Sequence, residues 1–550
     1  MDKKFLTLIK NGICNNWDRP ALTDMGSKTY RYKDMAAEIA KLHILFQALD
    51  IKEGDKIAIC DKNSAHWAIA FFASMSYGAV VTSILNEFDG ASIENIVNHS
   101  DSKALFAGQQ TMGKIDIANI PGAKSVIMLE DFSLLRSATE EAKDVWSKIT
   151  TLFEEKYPNG YTQEDVTFYD ENPEALAMLN YTSGTTSSPK GVMLPYRSLW
   201  SNTRFAMEEI PFVKTGDGMI CMLPMAHMYG LAFEVLLSMA NGSHLNFLTR
   251  VPSPQVILGA FAEINPSLVI TVPLIIEKII QNKIFPELKK FPVNQLIKIP
   301  FFRKKIYKKI ADKLIPLFGS KMVEVVIGGA GLNQEIGTFL SDIKFPYTVG
   351  YGMTECGPLV SYAYWTKYKA TSCGMPVDRM EVKIDSENSE TEAGEILVKG
   401  DNVMIGYYKN QEATQAAFTA DGWLRTGDLG IQDSDSHIFI KGRIKTMILG
   451  ASGQNIYPEE IEDFYNNSPY VAESLIVSEN NKLVALIYPD HDYMEANAIT
   501  EDQYPKIFNE EMKAINKRLP GYSKVVNFRL QKDEFEKTPK RSIKRFLYQK

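Results

Sequence analysis

Cysteine is scarce in this sequence: five residues (Cys14, Cys60, Cys221, Cys356 and Cys373) in 550, with no C-x-x-C pair. An odd, scattered set argues against a disulfide framework or a structural zinc site and points to a reducing, cytoplasmic compartment. Excess positive charge is also lacking. Sixty Lys and Arg against 67 Asp and Glu leave a net −7, so the chain as a whole is not built to coat nucleic acid. The N-terminus, Met1-Asp2-Lys3-Lys4, leads into a short apolar stretch broken by Lys10, without the apolar core of a signal peptide. Only residues 63–86 form an uncharged run long enough to span a bilayer. His66, Ser74, Ser76, Tyr77, Gly78, Thr82 and Ser83 interrupt it. The run therefore predicts a buried helix over 67–77, a stop at Gly78 and a short strand over 79–85.

What is present is ordinary globular composition, 45% hydrophobic and 23% charged. The length exceeds what one core supports, so two or more domains are expected. Met35, Ile39, Leu42, Leu45 and Phe46 fall near one helical face, and a Gly54-Asp55 turn opens the apolar strand 56–60. Repeated helix-then-strand units predict an α/β body with mostly parallel, covered sheets. Beyond about residue 380 short strands and tight turns take over. Strands near 473–478 and 482–488, then a helix marked by Phe508, Met512, Ile515 and Leu519, predict a separate small α+β domain.

Residues 283–321 stand apart in charge. Eleven Lys or Arg face only Glu287 and Asp312, and Phe301, Phe302, Ile306, Tyr307, Ile310, Leu314 and Ile315 alternate with the cations. Two readings are open at this point: a solvated basic helix, or a surface for anionic lipid or a polyanionic substrate.

The most informative segment is Tyr181-Thr182-Ser183-Gly184-Thr185-Thr186-Ser187-Ser188-Pro189-Lys190-Gly191. Hydroxyls, a glycine and a lysine following an apolar strand can turn N–H and O–H groups toward phosphate oxygens, with Lys190 neutralising charge. It is not a P-loop, which needs Gly before the lysine and Ser or Thr after it.

This loop resembles the phosphate-loop signature of the adenylate-forming superfamily of acyl-CoA synthetases, luciferases and peptide-synthetase adenylation domains. Ser187 stands where that family usually has Gly. Other segments resemble family motifs in the family's order. The run 223–230, with His227, is similar to the border of the acyl pocket. Gly328-Gly329-Ala330-Gly331 is similar to the loop against adenine. Tyr351-Gly352-Met353-Thr354-Glu355 is similar to the segment that stacks an aromatic on adenine, offers a hydroxyl to phosphate and sets a carboxylate near magnesium. Thr426-Gly427-Asp428 resembles the strand end where Asp binds both ribose hydroxyls. Gly442-Arg443-Ile444-Lys445 resembles the domain junction, with Arg443 near ribose and Lys445 at the hinge. Gly453 through Glu462 resembles the loop and helix that meet the pantetheine arm.

The resemblance implies an N-terminal adenylation domain over 1–444 and a small mobile domain over 445–550. It also implies Glu355 as metal ligand; Thr182, Ser183, Gly184, Thr185, Thr186, Gly329, Ala330, Tyr351, Gly352, Asp428, Arg443 and Lys445 around ATP; and His227 and Gly453 on the substrate side. Near the C-terminus Ser542 occupies the place of the family's lysine, and Lys540 and Lys544 are the alternatives, with Lys544 carried beside Thr354, Glu355 and Lys190 as a candidate catalytic residue. The expected activity is Mg²⁺- and ATP-dependent activation of a medium- or long-chain fatty acid, followed by transfer to coenzyme A. Competing readings are an aryl-acid CoA ligase, an acyl-carrier-protein ligase and a noncatalytic acyl- or nucleotide-binding regulator. The expected setting is cytoplasmic, with peripheral membrane contact through 283–321 if the lipid reading of that stretch holds.

Overall fold

A computed structural model describes residues 3–182, 189–250, 253–449, 454–479, 482–538 and 542–549, apart from the side chains of Asn282 and Lys283. Its largest sheet has eight strands. In spatial order they are Gly406–Tyr407, Lys190–Pro195, Leu176–Thr182, Val80–Ile84, Lys56–Cys60, Ser102–Ala107, Ser125–Met128 and Leu134–Arg136. The central neighbours run parallel and the flanking ones antiparallel. Val80–Ile84 is buried at every position, as a strand covered on both faces must be.

The uncharged run 63–86 folds as its punctuation predicts. Ser64 caps the helix Ala65–Ser76 by accepting the Trp67 N–H at 3.1 Å. Gly78 then turns the chain at φ +90°, with the Tyr169 ring 3.0 Å from where a Cβ would sit. Among the described residues no helix is long and apolar enough to cross a membrane.

Smaller sheets complete the large domain. Gly218–Cys221, His244–Phe247, Pro20–Asp24 and Thr29–Arg31 form one. Leu268–Thr271, Glu324–Ile327 and Tyr347–Val349 form another, wholly parallel, over its own core that includes Phe261, Ile276, Phe318, Ile336 and Leu340. An antiparallel sheet of Met380–Asp385, Gly394–Gly400, Leu424–Gln432 and Ile438–Arg443 follows. It carries one correction: Thr426-Gly427-Asp428, expected at a strand end, lies inside the nine-residue strand Leu424–Gln432. The strand tolerates it because Gly427 takes φ +71° and the ladder slips register on both sides.

The C-terminal part is smaller and builds a separate core around Tyr465, Ile476, Ile487, Phe508 and Ile515. The antiparallel pair Val471–Glu479 and Lys482–Pro489 is joined by the parallel Val525–Leu530, with the helices Pro458–Asn466 and Tyr504–Asn516 packed on it. The chain is thus α/β, a large N-terminal domain with parallel sheets followed by a small one.

Candidate active site

A cleft of about 3000 Å³ opens between the two domains. Its polar wall begins where Leu176–Thr182 and Lys190–Pro195 pair, with Thr182 directly opposite Lys190. The hydroxyl loop between them, with Ser183, Gly184, Thr185, Thr186 and Ser187, lies outside the described residues. Lys190 Nζ stands 5.0 Å from the centre of the Tyr407 ring. The Tyr407 hydroxyl donates to Glu355 Oε1 at 2.9 Å. One tyrosine thus joins the site's cation to its carboxylate. Glu355 is further fixed through its backbone, whose carbonyl accepts from Met404 N–H at 2.8 Å. Thr354 is buried beside it in the turn Thr354–Cys356. This turn needs Gly352 just before it: a Cβ there would fall 2.2 Å from the Pro358 carbonyl oxygen.

Among the described residues no group of three or more His, Cys, Asp or Glu converges on a metal position. A single carboxylate beside a lysine suits Mg²⁺, which takes one or two protein carboxylates and completes its shell with phosphate and water oxygens. The residues present fit that ion when it arrives with phosphates.

Farther along the wall the Tyr351 hydroxyl donates to Asp428 Oδ2 at 2.7 Å, and Arg443 Nε meets Asp428 Oδ1 at 2.9 Å. Asp428 and Arg443 are register partners on neighbouring strands. Burial pushes the Asp428 carboxyl above its ordinary range, while Arg443 and the tyrosine hydroxyl pull it back. Burial and the same aspartate push Tyr351 upward, so it stays a donor. Gly328–Gly331 follows the strand Glu324–Ile327 and lines the same cleft. Gly329 takes φ +85°, and at Gly328 a Cβ would meet the Tyr229 ring at 2.9 Å. Tyr229 is anchored by its hydroxyl on the Val326 carbonyl at 3.0 Å.

The same cleft also has apolar lining, including Phe205, Ile210, Met222, Phe233 and Ile270. The loop bearing His227 is held at three points. Asn63 donates to the Leu223 carbonyl at 2.6 Å and accepts from Met225 N–H at 2.8 Å. Glu234, fully buried on a π-turn over Leu231–Leu236, accepts from Leu223 N–H at 3.1 Å. Asn180 donates to the Ala226 carbonyl at 2.8 Å. His227 lines the cleft, and its Nδ1 accepts from Tyr229 N–H at 3.3 Å, capping a short turn.

The small domain closes the cleft. Asp463, on the helix Pro458–Asn466, accepts from Asn333 Nδ2 at 2.8 Å and from Gln334 N–H at 3.1 Å. Asn467 Oδ1 accepts from Asn333 at 2.6 Å. Lys445 lines the cleft two residues past Arg443. Gly453 and Lys540 lie outside the described residues. Ser542 and Lys544 line the cleft, but the Lys544 ammonium is turned to Glu536 of its own domain at 3.5 Å. The structure thus brings Lys190, Thr354, Glu355, Tyr351, Gly352, Asp428, Arg443, Gly329, Ala330 and His227 to one cleft and leaves the Lys544 ammonium on its own domain's carboxylate. Cys356 is fully buried, and burial, then the neighbouring Glu355, drives its thiol well above its ordinary range, so it is an inert packing residue.

A family model for AMP-binding enzymes matches residues 13–408, and a model for the C-terminal domain of such enzymes matches 445–550. The chain belongs to the AMP-binding enzyme family. A long-chain-fatty-acid–CoA ligase of Mycobacterium bovis is 27% identical over 474 residues, covering 82% of this chain and 75% of that protein. A long-chain-fatty-acid–CoA ligase of Escherichia coli O157:H7 is 27% identical over 499 residues, covering 86% and 82%. The o-succinylbenzoate CoA synthetase of Bacillus subtilis, solved with its acyl-adenylate intermediate, superposes with a TM-score of 0.75 at 20% identity over 98% of this chain and 97% of that one. The resemblance to adenylate-forming enzymes therefore holds along both domains, and the expected class, an acid–thiol ligase, agrees with it.

Three residues lining this cleft, Asn63, Tyr407 and Asp463, and the fully buried Glu234 behind the His227 loop carry no motif signal. Tyr407 reaches Glu355 across 52 residues of sequence and Asn63 reaches Leu223 across 160. Of the four, Glu234 alone offered a signal that sequence reasoning passed over, an acid inside the apolar run 231–237.

Proposed function

We propose that the chain activates a medium- or long-chain fatty acid as its acyl adenylate and transfers the acyl group to coenzyme A. The observation that carries this reading is that one cleft is lined both by Lys190, Thr354, Glu355 and Asp428, suited to phosphates and a diol, and by the apolar side chains Phe205, Ile210, Met222 and Phe233. The long-chain ligases that resemble the chain at 27% identity support the fatty acid over an aryl acid.

In this reading Asp428 accepts both ribose hydroxyls, which a cation could not do. Lys190 and the hydroxyl loop hold the outer phosphates, and Thr354 offers its hydroxyl to the α-phosphate. Glu355 would hold Mg²⁺, which would supply positive charge to stabilise pyrophosphate as it leaves. A carboxylate oxygen of the acid attacks the α-phosphorus, the bond to the bridging oxygen breaks, and pyrophosphate leaves. The thiolate sulfur of coenzyme A then attacks the acyl carbon and AMP departs. Catalysis rests on positioning and charge stabilisation, with no protein nucleophile. His227 is assigned to the acyl route and Gly453, outside the described residues, to the pantetheine route. Lys544 is paired with Glu536 of its own domain, so its part in adenylate formation requires that pair to open as well as a swing of the small domain about Lys445.

Acid-dependent ATP–pyrophosphate exchange over a panel of acids tests the reading. Exchange greatest with acids of medium or long chain supports it. Exchange greatest with benzoate-like acids overturns the substrate, and no exchange with any acid leaves a noncatalytic nucleotide-binding protein.

A further inference from the structure

The segment 283–321 combines three properties that a merely solvated helix does not need together. Its cations are unneutralised: among those whose side chains are described, Lys290 alone enters an ion pair, with Glu287. Its aromatic residues face outward, with Phe291 82% and Phe301 63% exposed and Phe302 and Ile299 exposed beside them. Its inner face is already satisfied. Along the helix Pro300–Leu314, Ala311 and Leu314 are buried, and Tyr307 and Ile310 are half-buried against the core that holds Phe318 and Leu340. The outward groups therefore have no work to do in packing. Lys305 stands 4.4 Å from the centre of the Phe301 ring, so cation and apolar ring present themselves as one patch.

We propose that this face is a docking surface for a bilayer rich in anionic headgroups. Lysines at the headgroup level gain from the negative surface potential, and exposed aromatic and aliphatic tips bury apolar area at the acyl boundary. A soluble polyanion would meet the lysines equally well, yet it would leave Phe291, Phe301 and Phe302 in water. The rings therefore favour the membrane. Position supports the same occupant. The cleft wall includes Leu274, Lys278 and Gln281, on the helix Pro273–Ile279 and the turn that follows it. The chain then continues through Ile280–Ile284 and Phe285–Lys289 into the basic face. The helical turns that start at the cleft thus end at Lys289, beside Lys290 and Phe291 of the patch, and the helix Pro300–Leu314 follows after a break. A fatty acid dissolved in a membrane would meet the protein on the side that leads inward. This last step rests on the proposed substrate class; the docking itself does not.

Vesicle co-sedimentation of the full chain, without nucleotide or acid, tests the docking. One set of vesicles is phosphatidylcholine alone and the other contains one third phosphatidylglycerol. Two variants accompany the wild type: Lys304→Glu/Lys305→Glu/Lys308→Glu, and Phe301→Ser/Phe302→Ser. All five positions are exposed or nearly so and lie outside the cleft, so exchange activity with octanoate remains at the wild-type level in both. The wild type is expected to sediment with the anionic vesicles at low salt and to be released as salt rises. Each variant should bind about tenfold more weakly or less. A wild type that stays in the supernatant with anionic vesicles at low salt overturns the proposal. So does wild-type binding by either variant, which would show that the cations or the rings named here do not carry the contact. Because the readout needs no catalysis, failure here leaves the ligase reading standing, and failure of acid-dependent exchange leaves the docking surface standing.

Discussion

Asp428 works between two donors of unlike kind, a buried tyrosine hydroxyl and a half-solvated guanidinium. Its charge matters more than its shape. Asp428→Asn keeps the volume and one acceptor but loses the charge-assisted pair, a loss of about 1.5–3 kcal/mol. The dissociation constant of Mg·ATP, read by calorimetry, is expected to rise about tenfold or more; an unchanged constant would remove Asp428 from the nucleotide site. Tyr407 gives a different signature. Tyr407→Phe keeps the ring beside Lys190 and deletes only the donor on Glu355. Single-turnover adenylate formation is expected to slow about tenfold while nucleotide affinity holds. Equal loss of both would mean that Tyr407 simply shapes the pocket. At this scale Lys190, Glu355 and Asp428 were legible because each sits in a short ordered motif. Tyr407 and Asn63 were not, since their partners are brought to them by strand pairing and loop closure that local sequence does not encode.

At the scale of elements, the helix Pro458–Asn466 couples the domains. Its start was readable from proline in the first turn followed by Glu459 and Glu460. Its docking was not: Asp463 looks like any surface acid until Asn333 and Gln334 are seen against it. Burial raises the Asp463 carboxyl above its ordinary range despite those donors, as expected for a group closed inside an interface. Asp463→Ala removes two hydrogen bonds, each worth about 1 kcal/mol. The population with the small domain released should then grow roughly thirtyfold, and trypsin should cut the junction near Lys445 correspondingly faster. Wild-type cleavage kinetics would show that this contact does not hold the domains. The same scale explains the one misplaced motif. A glycine at φ +71° with a slipped register lets Thr426-Gly427-Asp428 sit within a strand, whereas its turn-like residues alone suggest an end. The uncharged run 63–86 was readable because Ser64 and Gly78 mark where the helix begins and stops.

For the molecule as a whole, two buried carboxyls set a pH dependence. Burial pushes Glu324 up to about 7, against donors from Tyr362 and Trp365, and pushes Glu462 up to about 7 against Arg545. Both folded values lie above the ordinary 4.5, so the folded chain holds these protons more tightly than the unfolded one. Their contribution is full below the ordinary value and is lost as pH rises through 7. Between pH 6 and 8, Glu324 alone should cost the large domain about 1.4 kcal/mol. Urea unfolding at the two pH values should show wild type weakening as pH rises and Glu324→Gln weakening less by about that amount. Equal pH dependence in both proteins would contradict the assignment. The two-domain plan was legible in the family resemblance, whereas the change to short strands near residue 380 falls within the large domain, whose antiparallel sheet runs from Met380–Asp385 to Ile438–Arg443. The packing of one domain's carboxylates against the other's backbone was not, because burial is a property of the assembled chain.

The central claim is that the cleft joins an acid to AMP before any thiol takes part. Incubating the protein with Mg²⁺, a long-chain fatty acid and ATP labelled at the α-phosphate, without coenzyme A, tests it most directly. A labelled acyl-AMP held by the enzyme in near-stoichiometric amount, converted to AMP when coenzyme A is added, is the expected result. Labelled ADP in its place, or no labelled anhydride with any acid, would contradict it.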